Sequence, residues 1–259
     1  MSRSNRHIAY VSPLPPPVGG IATWTETIQN RGLGDGWRIS IINSSLRGRN
    51  VTDQRTSLVT EAVRTLQILF SLIWILIFKR PNVVHVNCSL SERGVFRDAL
   101  VAGLARVLRV SVVANLNGNF LPGNMVALSR RTEIAYRFLF RRSQQIVALS
   151  DGSRLGVQHL GNFDDITIVM PCFIDFSNVP EKSPSSTSNF KIGYLGALLE
   201  SKGLGTIYET ALKLPEHEFV LVGDMRTEAE SDGLIRQISD LPNVTLAGSM
   251  PHFPALEII

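Results

Sequence analysis

Apolar residues in this chain alternate between two patterns. Short unbroken runs, such as His7-Ile8-Ala9-Tyr10-Val11-Ser12 and Ile146-Val147-Ala148-Leu149, read as buried strands of a parallel sheet. Between them apolar positions recur at helical spacing, as at Ile21, Trp24 and Ile28. The pattern predicts strands near 7–12, 37–43, 82–87, 110–115, 145–149 and 166–170, with helices near 20–31, 57–79, 93–108 and 126–142. A second series follows, with strands near 190–195, 218–222 and 243–247 and helices near 203–213 and 228–239. This alternation predicts an α/β protein built on parallel sheets with right-handed crossovers.

The segment from Ser177 to Asn189 breaks the pattern, with Pro180, Pro184 and several serines, and reads as a linker. The expected organisation is therefore an N-terminal domain over 1–176, a linker over 177–189 and a second domain over 190–259. The second domain is expected to be only the front half of a doubly wound unit. Ala255-Leu256-Glu257-Ile258-Ile259 reads as the start of a helix that is cut.

One helix departs from the usual outline. Residues 66–78, from Leu66 to Phe78, are apolar on nearly every face, and polar residues gather earlier, at Thr60, Glu61, Arg64 and Thr65. Such a helix is buried or lies in lipid. Residues 130–142 mix arginines with Tyr136, Phe138 and Phe140, a composition that suits an anionic membrane surface. Alternatively the first is a covered crossover helix and the second an amphipathic helix with a solvated basic face. The N-terminus is polar and its first apolar run is too short for a signal peptide. No segment is expected to reach the ~20 apolar residues needed to span a bilayer.

The chain has 259 residues, 44% of them apolar, enough for a sizeable core, and a net charge of +4 that favours anionic partners. Neither zinc-finger spacing nor an aromatic-rich basic nucleic-acid motif is present, so no nucleic-acid partner is expected. Two cysteines, Cys88 and Cys172, imply no disulfide framework, and a reducing cytoplasm is the expected compartment. Cys172 reads as a packed thiol rather than a nucleophile. The five histidines show no metal-ligand spacing. Asp151, Asp164 and Asp165 read as solvated or capping acids in polar turns.

Candidate chemistry lies at two glycine turns. Pro13 to Pro17 form a stiff loop that leads through Val18-Gly19-Gly20 into a helix. Two adjacent glycines let a ligand approach the backbone. Lys191-Ile192-Gly193-Tyr194-Leu195-Gly196 runs as a strand into a turn, and Lys202-Gly203 stand where the next helix begins. A lysine there opposes the helix dipole, which is easier to understand if an anion binds the helix N-terminus as well.

These segments, in order, resemble glycosyltransferase family 4. Ser12-Pro13 through Pro17-Val18-Gly19-Gly20-Ile21 resembles its N-terminal glycine loop, and Pro81 with Asn82-Val83-Val84-His85-Val86-Asn87 resembles its second signature strand. Val112-Val113-Ala114-Asn115-Leu116-Asn117-Gly118 resembles the strand that ends in histidine–glycine. Ile146 to Ser150 and Ile166 to Pro171 resemble the segments leading to the interdomain crossing. Gly193 to Gly196 with Lys202-Gly203, Phe219 to Asp224 and Asn243 to Gly248 resemble its donor domain. The resemblance covers nearly the whole chain. It implies a GT-B fold of two Rossmann-like, doubly wound parallel-sheet domains, the second incomplete. It further implies transfer of a hexose from a nucleotide-diphosphate sugar to a glycan or glycolipid acceptor, with retention and without a metal or other cofactor. Lys202 and Asn117 take the catalytic positions. Gly19, Gly20, Gly118, Gly196, Gly203 and Asp224 take substrate-binding positions, Gly19 and Gly20 against donor phosphate or acceptor. The resemblance suits a protein at the inner face of the membrane.

The chain also departs from that family. Asn117 stands in place of histidine, Ala197 in place of arginine, and Cys172-Phe173 in place of asparagine–glycine. No acidic motif follows before Ile259. The chain as given is therefore expected to bind nucleotide sugars poorly. Two alternatives stay open: an inactive truncated remnant that binds a membrane or partner, and a nucleotide-sugar epimerase of the same GT-B shape.

Overall fold

A computed structural model describes residues 6–16, 19–45, 57–118, 120–126, 128–173, 190–224, 229–250 and 252–258. The chain divides into two compact units, Met1–Ile174 and Asp175–Ile259. The expected linker, 177–189, lies outside the described residues.

Unit 1 is built on six parallel strands: β1 (Arg6–Ser12), β2 (Trp37–Asn43), β3 (Val83–Asn87), β4 (Ser111–Leu116), β5 (Gln145–Ala148) and β6 (Thr167–Val169). Their order is β2-β1-β3-β4-β5-β6. Register sets Tyr10 of β1 against Ile41 and His85, and Asn87 against Asn115. Alternation then sorts the side chains by face. One face presents Ala9, Val11, Ile42, Val84, Val86, Val112, Ala114 and Ile146 to the main core. The other presents Tyr10, Ser12, His85 and Asn87, and α1 (Gly20–Arg31) packs there, since Thr25 bonds Ser12 and Trp24 meets Tyr10.

Four helices cover the main-core face. They are α2 (Leu58–Trp74, continued by a π turn Ile75–Lys79), α3 (Glu92–Val107), α5 (Arg130–Arg142) and α6 (Asp151–Leu160), while short α4 (Pro122–Val126) adds Met125. Serine starts each of the four: the side chains of Ser57, Ser91, Ser129 and Ser150 accept the backbone N–H three residues on. The π turn after α2 stops at Arg80, which is left-handed at φ 46°, ahead of Pro81. Asp98 is buried, bonded to Arg97 and to the Ser89 N–H, and so ties the β3–α3 loop to α3.

Three sequence expectations change here. The helix expected near 126–142 is two helices, α4 and α5. Helix α6 was missed and its first residue, Asp151, was read as a turn; Gly152 and Gly156 dilute the apolar spacing. Gly156 is there for packing, because a Cβ on it would lie 2.0 Å from the Phe120 carbonyl oxygen. The polar half of α2 is only partly outward: Thr60 is exposed, but Glu61 and Arg64 pair at 2.7 Å and are largely covered. The outer face is apolar instead, with Phe70 71% and Phe78 64% exposed.

Unit 2 has three parallel strands, β7 (Lys191–Leu195), β8 (Glu218–Val222) and β9 (Val244–Gly248), in the order β7-β8-β9. Helices α7 (Leu204–Lys213) and α8 (Ala229–Ser239) cover one face, where Leu198, Leu204, Leu221 and Ile238 cluster. Helix α9 (His252–Ile258) covers the other, with Ala255 against Val220 and Val222. Helices therefore lie on both faces of the unit 2 sheet, as in Rossmann-like units.

Candidate functional site

Parallel strands end together at one edge, and open α/β sheets bind ligands beyond that edge, where the strand order reverses. In unit 1 the reversal lies between β1 and β3, because β2 flanks β1 on one side and every later strand lies on the other. A ladder of polar side chains crosses the strand ends there. The Thr25 hydroxyl donates to the Ile21 carbonyl at 2.8 Å and so accepts from the Ser12 hydroxyl, which itself accepts from Asn87 Nδ2. Asn87 Oδ1 accepts from Nδ2 of Asn115 and of Asn117, each at 3.0 Å. The Cys172 thiol donates to Asn117 Oδ1 at 3.7 Å. Ser12, Thr25, Asn87 and Asn115 are buried and Asn117 is half-buried. A satisfied network of this kind is rigid.

An aromatic group lies beside the ladder. Tyr10 and His85 rings stand 4.5 Å apart, and Trp24 meets His85 at 6.0 Å and Phe173 at 5.5 Å. Burial pushes the His85 imidazole down to about 4, so it is neutral at physiological pH. His85 Nδ1 and Trp24 Nε1 are shut off from solvent without a hydrogen-bond partner.

Helix α1 begins beside this ladder on Gly19, with no side-chain cap. Gly19 is extended at φ −168°, and a Cβ on Gly20 would meet nothing within 4 Å. Internal packing therefore makes no demand for glycine at position 20. The bare N-terminal N–H groups of α1 are open to an acceptor from outside.

At the matching edge of unit 2, Gly196 N donates to Val222 O at 2.9 Å and Leu198 N to Asp224 O at 3.2 Å. A Cβ on Gly223 would lie 1.7 Å from the Gly196 carbonyl oxygen, so the crossing of these two turns requires glycine at 223. The chain then makes a 3-10 turn over Glu200–Lys202 and reaches Gly203, which is left-handed at φ 85° and starts α7 without a side-chain cap.

No sequence model of a known protein family matches the chain, and no curated protein matches it. Solved structures match it over nearly its whole length. HepE from Anabaena, in complex with UDP, covers 97% of this chain with 71% of its own, at 16% identity and a TM-score of 0.65. The catalytic domain of starch synthase IV from Arabidopsis thaliana, bound to ADP and acarbose, covers 98% with 76% of its own, at 13% identity and a TM-score of 0.65. UDP-GlcNAc 2-epimerase from Neisseria meningitidis, bound to UDP-GlcNAc, covers 97% with 74% of its own, at 15% identity and a TM-score of 0.56. The fold is of GT-B type, with two Rossmann-like units.

The structure gives each sequence-predicted residue a place. Gly19 and Gly20 start α1 beside the ladder, and Asn117 belongs to the ladder itself. Gly118 follows Asn117 at the end of the ladder, and a Cβ there would press on the tip of the exposed Leu90 side chain, which can turn away. Gly196 and Asp224 lie at the carboxyl edge of unit 2, and Gly203 supplies the left-handed turn. Lys202 is exposed in the 3-10 turn, ahead of α7 rather than in it, and makes no ion pair among the described residues. Helix α7 also has a carboxylate of its own, because a Cβ on Gly205 would lie 2.6 Å from Glu200 Oε1. Cys172 is exposed rather than packed; partial burial raises its thiol pKa, so it is no activated nucleophile. Sequence reasoning missed Ser12, Thr25, Asn87 and Asn115 as a set. The available signal was the pair of asparagines ending two otherwise apolar runs.

The ladder offers amides, hydroxyls and backbone N–H groups, with no carboxylate among its members. Its hydrogen bonds run from one member to the next, and none of its members is a group that takes up a proton at neutral pH.

Proposed function

We propose that the protein is a glycosyltransferase that moves a hexose from a nucleotide-diphosphate sugar to a glycan or glycolipid acceptor, with retention of configuration. One observation carries the reading. The two α-helices described as lacking a side-chain cap, α1 and α7, each start on glycine at the carboxyl edge of a parallel sheet. They do so in a fold whose matched structures hold UDP, UDP-glucose and ADP. Helix N-termini without a side-chain cap bind phosphate, which at α7 would displace the Glu200 carboxylate beside Gly205.

As the sugar leaves, negative charge grows on the nucleotide diphosphate. Lys202 and the N–H groups at the start of α7 stabilise that charge. The Asn117 ladder holds acceptor or sugar hydroxyls. An amide takes no proton at Asn117, so the departing diphosphate takes the acceptor's proton.

Lys202→Ala should lower transfer by about 10²–10³-fold, the usual effect of removing one stabiliser of transition-state charge. Gly20→Ala should lower kcat/KM while leaving thermal stability equal or higher, since alanine favours a helix by roughly 0.5–1 kcal/mol over glycine. Unchanged turnover in both variants removes the reading. The epimerase alternative stands on the matched epimerase structure, and the same assay separates the two. An epimerase converts its nucleotide sugar without any acceptor, whereas the proposed transferase requires one.

A further inference from the structure

We infer that the outer face of the helical layer of unit 1, formed by α2 with its π turn, α3 and α5, docks on an anionic membrane surface. The inference stands apart from the transferase reading, because it concerns the helices and not the strand ends.

Helix α2 has its polarity reversed for a helix on a sheet. Ile68, Leu72, Ile75 and Leu76 pack inward on the strands. Leu66, Phe70, Ile73, Trp74, Ile77 and Phe78 recur at three- and four-residue steps on the outer side, and all are exposed. A soluble crossover helix places its charges there. Here the one charged pair of α2, Glu61 and Arg64, is largely covered. The neighbouring helices extend the apolar surface, with Leu100 and Val107 exposed on α3 and Ile134 on α5.

Charge around this surface is mostly positive. Residues 58–142, from the start of α2 to the end of α5, contain twelve Lys and Arg against four Asp and Glu. Two of those acids, Asp98 and Glu133, are already paired with Arg97 and Arg137. In a parallel sheet the crossover helices all run back toward the amino edge. Lys79, Arg80, Arg106, Arg109 and Arg141 therefore gather at that edge, all exposed, beside Ile77, Phe78, Val107 and Leu108. Cations at helix C-termini complement the helix dipoles. That accounts for the charges and leaves the apolar stripe unexplained. Exposed Trp, Phe and Leu flanked by Lys and Arg is the composition of a surface that lies in a lipid interface. A soluble partner of opposite charge would meet the cations but leave Phe70 and Trp74 in water.

The helix over Leu58–Lys79 has 22 residues, and an 18-residue window within it has a mean hydropathy of 1.7, long and apolar enough to cross a bilayer by length and composition. This corrects the expectation that no segment reaches that length; Val63, Val59 and Leu58 carry apolar positions back among Thr60, Glu61 and Arg64. Crossing would pull Ile68, Leu72, Ile75 and Leu76 out of the core they share with Val84 and Val112. The geometry points instead to a helix lying in the interface with its inner side still on the sheet.

The test is sedimentation of the protein with vesicles of phosphatidylcholine alone and of phosphatidylcholine with phosphatidylglycerol, at low and high salt. Binding should be at least tenfold tighter to the anionic vesicles and should weaken with salt. The triple variant Phe70→Ser, Trp74→Ser, Phe78→Ser should keep its thermal unfolding, because all three side chains are exposed, and should lose binding tenfold or more. The double variant Arg106→Ser, Arg141→Ser should lose the preference for anionic vesicles. Failure to bind anionic vesicles, equal binding to both kinds, or parent-like binding by the triple variant overturns the inference. A dimer that the triple variant dissolves, with no vesicle binding by the parent, assigns the face to a second copy and also overturns it.

Discussion

His85 shows how one half-buried side chain, its ring packed among aromatic neighbours, couples this fold to pH. Its imidazole titrates at about 4 in the folded protein, against an ordinary value of 6.5, because burial disfavours the charged form. The unfolded chain takes up that proton below pH 6.5 and the folded chain does not until about pH 4. The contribution of this residue to stability is therefore complete above pH 6.5 and falls as pH drops from 6.5 toward 4. Between pH 7 and pH 5 the loss should be about 2 kcal/mol. His85→Phe keeps a ring against Tyr10 and Trp24 and removes the titration. Unfolding free energies from urea titrations at the two pH values should differ less in the variant than in the parent by about that amount; equal differences would show that His85 is not the responsible group. Asn87 poses the opposite case, a polar residue whose every bond is internal. Its place at the end of β3 was visible in the sequence, but not that Ser12, Asn115 and Asn117 converge on it from two neighbouring strands.

At the scale of elements, apolar spacing located the strands and long helices to within a residue or two. It failed where glycine carried the packing. Helix α6 was read as turns because Gly152 and Gly156 interrupt its spacing, yet Gly156 is what lets the helix approach the Phe120 carbonyl. Gly156→Ala should destabilise unit 1 by about 3 kcal/mol, the scale of forcing an extra carbon into a filled site, against the small gain alanine brings to an exposed helix position. A neutral or stabilising effect in chemical denaturation would mean that the helix sits further from the backbone than described. Helix α2 failed differently. Its composition was read correctly as apolar all round, but which stripe faces the sheet depends on where the sheet lies. Leu76, 5% exposed, is a core residue, whereas Ile73 is 37% exposed. Glutamate at 76 should therefore unfold unit 1, and glutamate at 73 should not.

At the scale of the whole molecule, each unit closes its own core. The main core of unit 1 runs from Ala9 to Leu160, and the two clusters of unit 2 run from Leu198 to Ala255. Two cores predict two calorimetric transitions, with the larger enthalpy from unit 1. Leu204→Ala, at a fully buried position in unit 2, should cost about 2–5 kcal/mol and lower one transition while leaving the other in place. A single transition that moves as a whole would show that the units unfold together.

The sequence by itself determined the alternation of strand and helix, hence the parallel sheets, the division into two units and the two glycine turns at their carboxyl edges. These follow from local causes: side-chain period, turn residues and chain connectivity. The tertiary structure alone decided what depends on partners distant in sequence. It showed that Gly156 and Gly223 are glycine because the backbone carbonyls of Phe120 and Gly196 stand against them. It showed that three strand ends, a helix and the loop at Cys172 join in one hydrogen-bonded ladder. It showed that the most apolar helix turns its bulk outward. Periodicity specifies which residues share a face, but only packing against the rest of the molecule specifies what that face meets.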